Sequence, residues 1–216
     1  MTDQTADRSR MVGAVLFATA IASAVLLLNH PAESATDFAG MLKEEAANQI
    51  KNAVVHGGFT VVLAIQLACY AIFSSRLGWQ RGLAIAGLVF FAIGAALQTA
   101  SLVVDGLVIP QLAVRYLASP PDHLPFAKSL FVLCGTAIQF LMPMGLFWQG
   151  AGITAWGAAA MRLVRAGGLA GLLIGLAVMA GAVAALAGQM VLMMLAIVGM
   201  ALWAAVAGAL MFRRAI

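Results

Sequence analysis

Charge is scarce in this sequence. Of 216 residues only 12 are Lys or Arg and 8 are Asp or Glu, a share of 9% where an ordinary soluble domain carries roughly 25%. With 63% hydrophobic residues and a mean hydropathy of +1.01, too little polar surface is left to coat a globular particle. That excludes a soluble domain and predicts an all-α polytopic membrane protein, with the lipid bilayer as its first partner. Cysteine is nearly absent. Cys69 and Cys134 lie in different apolar runs, at depths that differ by about 13 Å of helix rise, and no CxxC spacing involves either. A disulfide framework and a thiolate metal site are therefore excluded. Catalytic signatures are missing as well: there is no GxSxG, HExxH, Walker or strand-borne GxGxxG pattern, which argues against an enzyme. The sequence pI near 9.6 does not imply nucleic acid, because no Lys/Arg cluster is dense enough to track a phosphate backbone.

What the chain does have is six long apolar runs: 11–28, 53–73, 82–109, 126–148, 166–186 and 190–212. Each is long enough to cross a bilayer as a helix. Arg8 and Arg10 before the first run also fit a signal peptide, with a candidate cleavage site at Ala32-Glu33-Ser34. The run is longer than a signal core, however, so a retained helix is expected. Residues 36–52 form an amphipathic outer segment, with a cap-like Ser34 and Asp37 at its start. It either extends the second membrane helix out of the bilayer or lies separately on the lipid surface. Residues 149–160 read as a Gly/Ala-rich link between the fourth and fifth runs, and Pro143 as a kink in the fourth.

Six crossings put both termini on one side. Arg8, Arg10, Arg76, Arg81, Arg162, Arg165, Arg213 and Arg214 fall on that side, and Lys43, Lys51, Arg115 and Lys128 on the other. The positive-inside rule then places both ends in the cytoplasm, and the protein in the plasma (inner) membrane.

One carboxylate interrupts these runs. Asp105 ends a stripe of Gly94, Gln98 and Ser101 at i, i+4, i+7 and i+11, a single helix face, and an acid in such a segment looks inward. Counting depth from the run ends brings His30, His56 and His123 to the same rim of the membrane as Asp105. Imidazole and carboxylate are ligands for zinc or copper and also form proton relays. The plain alternative is that these residues are merely hydrated. A His56–Asp105 contact across the second and third helices is the sharper expectation. Deeper, Gln66, Gln98 and Gln139 fall near mid-membrane, as interhelical hydrogen-bonding glue or as the wall of a narrow cavity hinged at Pro143.

Gly167, Gly171 and Gly175 repeat every four residues, a close-packing pattern that serves either this chain's own helices or a homo- or hetero-oligomer. The methionines of the last run, such as Met193 and Met200, read as packing and not as a copper path. Three functions fit: binding or transport of a small solute, proton or metal ion between helices 2, 3 and 4; a non-catalytic accessory subunit of a larger complex; or a haem- or quinone-linked redox subunit, with His30 and His56 as axial ligands. The first is preferred. No cofactor is the simplest expectation, with a metal ion or haem b as the options.

Overall fold

The computed structural model describes residues 3–31, 34–79 and 82–213. Among them there is no strand, and six helices are long and apolar enough to cross a membrane. Arg81, Arg214 and the Ala32–Glu33 part of the candidate cleavage site lie outside the described residues.

The elements run α1 (Asp3–Leu28), α2 (Phe38–Ala47), α3 (Gln49–Leu77), α4 (Gly82–Val103), a π-helical turn (Val104–Val108), α5 (Ile109–Leu117), a 3-10 turn (Pro121–His123), α6 (Leu124–Ala160), α7 (Arg165–Leu186) and α8 (Met190–Phe212). The outer segment is both of its expected alternatives in part. α2 is a helix of its own, yet only Asn48 separates it from α3. Backbone bonds from Asn48 N–H to Glu44 O and from Asn52 N–H to Asn48 O carry the helical pattern across the joint. Asp37 caps α2, its carboxylate accepting from Gly40 N–H at 2.7 Å.

α6 corrects the sequence reading. Residues 149–160 are no link but the last three turns of one 37-residue helix, and Gln149, Gly150, Gly152, Ile153, Trp156 and Gly157 are buried. Gly loosens a helix in water, though Ala does not. In lipid, where unpaired backbone groups find no substitute partner, even the glycines stay helical, and these small residues let neighbours approach closely. Pro143 likewise sits buried inside α6 without ending it.

The core lies towards the end of the bundle that holds the termini. Tyr70, Phe73, Phe91, Trp156 and Trp203 pack there, with the two indoles stacked 6.5 Å apart. Trp156 Nε1–H donates to Ser74 Oγ at 2.8 Å. α1 crosses α8 at Gly13 and Gly208, where a Cβ on Gly13 would stand 2.6 Å from Gly208 O and 2.8 Å from Phe212 N. The start of α1 and the end of α8 therefore share one face of the bundle. The glycines of α7 face this chain: Gly171 abuts Gly157 and Trp203, Gly175 abuts Thr154, and Gly167 abuts Leu210. At the opposite end a second apolar cluster of Leu42, Ile109, Ala113, Tyr116, Ala127 and Phe131 ties α2 to α5 and α6. That end carries the polar site.

Candidate functional site

The polar site begins with a local irregularity in the backbone. Pro110 has no N–H to donate to Gly106 O, and its ring crowds that carbonyl. The ladder widens by one residue just before it, so Ile109 N–H reaches Val104 O, five residues back. Asp105 stands in this π turn. Across from it on α3 is His56, whose side chain is 3% exposed while that of Asp105 is 30% exposed. His56 Nε2 lies 3.0 Å from Asp105 Oδ2, so the contact expected from depth alone is present. His30, just past the end of α1, completes the group: its Nε2 is 3.3 Å from His56 Nε2, and the rings meet edge-on with centroids 5.0 Å apart.

Both imidazoles are oriented by the backbone. His56 Nδ1 is 2.9 Å from Asn52 O, and His30 Nδ1 is 2.9 Å from Pro31 O. A carbonyl only accepts, so hydrogen bonding assigns a proton to Nδ1 of each ring. His56 Nε2 then faces both His30 Nε2 and the Asp105 carboxylate. One ligand atom from each of His30, His56 and Asp105 lies within 4.8 Å of the other two. A proton or a metal ion among them would relieve their mutual repulsion.

The surroundings hold the trio in place. Asn52 is buried and its Nδ2–H donates to Glu45 Oε2 at 2.8 Å, which fastens α2 to the helical turn that orients His56. Gly106 presses on His56 so closely that a Cβ there would overlap the Cβ of the histidine. On the exposed side, Glu44 clamps the approach to α2 by accepting from Ser34 N–H at 3.0 Å and Ala35 N–H at 3.1 Å, and from the Ser34 hydroxyl. The Ser34 hydroxyl above all, and then these amides, hold the Glu44 carboxyl below its ordinary value of 4.5.

The other expected site residues divide. His123 stays apart: it sits in the turn before α6 with its side chain 57% exposed, 4.0 Å from Asp122 Oδ2. Gln98 and Ser101 are buried on α4, as the stripe predicts. Gln66 is buried as well, but its Nε2–H donates to Thr19 Oγ1 of α1 at 3.3 Å. Gln139 is not in the polar layer. It is exposed on α6 with Ser129 and Thr136, whose hydroxyls donate back to Pro125 O and Val132 O of their own helix. Its place is taken by Gln149, fully buried, whose Nε2–H donates to Gln98 Oε1 at 2.8 Å. Gln98 Nε2–H in turn reaches Met142 Sδ at 3.4 Å.

A signal for Gln149 was present in the sequence. Gly94 and Gln98 on α4 repeat the Gly-x-x-x-Gln spacing of Gly145 and Gln149 on α6. The two motifs cross each other: a Cβ on Gly145 would lie 3.1 Å from Gln98 Cβ, and one on Gly94 would lie 2.6 Å from Gln149 Cγ. Beside this crossing is a cavity of about 30 Å³ lined by Ser23, Gln66, Gln98, Gln149 and apolar neighbours. That is about the volume of one water molecule. None of the rim trio lines it.

The haem arrangement does not fit these residues. A bis-histidine iron needs its two nitrogens on opposite faces of a porphyrin, and here they stand side by side, 3.3 Å apart. No known protein family, curated protein or solved structure matches this chain.

Proposed function

We propose that this membrane protein binds a cation at the rim of its helical bundle, on the face opposite its termini, through His30, His56 and Asp105. One observation carries the reading: two imidazoles with their Nδ1–H groups anchored on carbonyls bring His56 Nε2 to 3.0 Å from Asp105 Oδ2 and His30 Nε2 to 3.3 Å from His56 Nε2. With Asp105 ionised and both rings neutral the trio bears one negative charge, half-sheltered from water, and attracts positive charge strongly. The site opens to the aqueous side through the exposed His30. By the distribution of Lys and Arg, that side is the exterior of an inner membrane, with both termini in the cytoplasm.

Binding at the rim is better supported than passage through the bundle. Below the trio the polar groups are tied to one another, Gln98 to Gln149 and Gln66 to Thr19, around a cavity of about 30 Å³. These amides act as interhelical glue.

The test is thermal unfolding of the detergent-solubilised protein, across a pH step from about 8 to about 5 and on addition of a divalent metal. Whatever binds only the folded state raises its midpoint. Wild type is expected to respond to at least one change, and His30→Ala and Asp105→Asn to neither. A wild type indifferent to both, or variants that respond like it, would contradict the reading.

A further inference from the structure

The cation can be identified more closely. We infer that it is a divalent transition-metal ion of the zinc class, bound by His30 Nε2, His56 Nε2 and Asp105 Oδ2 with a further position open to water or an incoming ligand. This inference rests on the cation-binding reading above.

Spacing comes first. A tetrahedral ion with ligands at ~2.0–2.1 Å separates neighbouring donor atoms by ~3.3–3.4 Å. The observed separations are 3.3 Å between the two Nε2 atoms and 3.0 Å between His56 Nε2 and Asp105 Oδ2. These two are chelating distances, and the third pair, His30 and Asp105, lies within 4.8 Å.

Valence is the second point. A single N–H on His56 Nε2 can aim at Asp105 or at His30, but not squarely at both. A metal ion gives each of the three atoms its own bond, so it accounts for the presence of His30 where a proton does not.

The outer partners are the third. Metal-binding histidines almost always donate the other ring N–H to a carbonyl or carboxylate, which fixes the tautomer and raises the basicity of the ligating nitrogen. Both histidines do this here, through Asn52 O and Pro31 O. Asn52 is itself held by Glu45.

The donor set decides the class. Two imidazoles and one carboxylate suit zinc and its first-row neighbours, and a hard ion such as magnesium or calcium prefers oxygen throughout. Three protein ligands at a half-exposed site leave the fourth position open, which is the pattern of zinc sites that act on a ligand and not of closed structural ones.

The experiment is equilibrium dialysis of chelator-stripped, full-length protein in detergent against Zn²⁺, repeated with Co²⁺. One ion per chain is expected for wild type and for the control His123→Ala. Losing an outer partner of a metal site costs ~10–100-fold in affinity, so His30→Ala and Asp105→Asn, which remove a ligand outright, should lose at least as much. His30 is exposed, so its variant tests the site without disturbing the core. Equal Zn²⁺ binding by wild type and both variants, or no stoichiometric binding by wild type, overturns the metal inference. If Zn²⁺ and Co²⁺ do not bind but the midpoint still follows pH in a manner that requires Asp105, the cation reading stands with a proton in the site. If neither dependence is seen, both readings fall.

Discussion

Gly106 on the π turn bears directly on His56 of α3: a methyl group at Gly106 would overlap the Cβ of the histidine. The close approach sets how far His56 can reach towards Asp105. Gly106→Ala should therefore displace the ring and lower cation affinity by ~10–100-fold, the cost of losing an outer partner, while the protein still inserts and folds. Gly57→Ala is the control. Nothing lies within 4 Å of a Cβ at Gly57, so this change should leave binding intact and raise stability by about 0.5–1 kcal/mol, as expected for glycine replaced inside a helix. Dialysis and denaturation of both variants check the pair.

The Gln98–Gln149 bond is expected to act as glue. Gln149→Leu should destabilise by about 1–2 kcal/mol, because it strands the buried Gln98 carbonyl oxygen. Adding Gln98→Leu should cost less than the sum of the single changes, since the stranded group is then gone. Unfolding of the single and double variants in detergent measures the coupling. Cation binding at the rim should be unchanged throughout.

Glu44 gives a prediction in pH. Its folded-state pKa lies below the ordinary 4.5 because Ser34 and Ala35 donate to the ionised form. A depressed pKa stabilises the clamp above the unfolded value, and that contribution is lost as pH falls through the folded one. Hydrogen exchange at the Ser34 and Ala35 amides should be slow above about pH 4.5 and should lose its protection on further acidification. Glu44→Gln should show little of this protection at any pH.

Sidedness is checked in a background carrying Cys69→Ala and Cys134→Ala. Single cysteines at Ser34 and Ser119 should react with an impermeant maleimide added outside intact cells. Cysteines at Ser75 and Met161 should react only after lysis. The opposite pattern would invert the proposed orientation.

Much of this was legible because lipid imposes simple rules. Runs of apolar residues had to be helices, and Asp105 had to look inward from the stripe of Gly94, Gln98 and Ser101. Depth counting also brought His56 level with Asp105. It fails where the direction around the helix axis matters. Gln139 has the depth of the buried layer but points out of the bundle, and His123 shares the rim without sharing its centre. Gln149 was hidden by composition, because the glycines at 150, 152 and 157 read as a link under rules drawn from water-soluble chains. The role of Gly106 depends on what the neighbouring helix presents, and no one-dimensional pattern records that.

X-ray absorption at the zinc edge of the Zn²⁺-loaded protein tests the central claim most directly. The account predicts nitrogen and oxygen neighbours at ~2.0–2.1 Å with the outer-shell scattering of two imidazoles, falling to one in His30→Ala. A spectrum with oxygen neighbours alone, or one unchanged by that substitution, would contradict it.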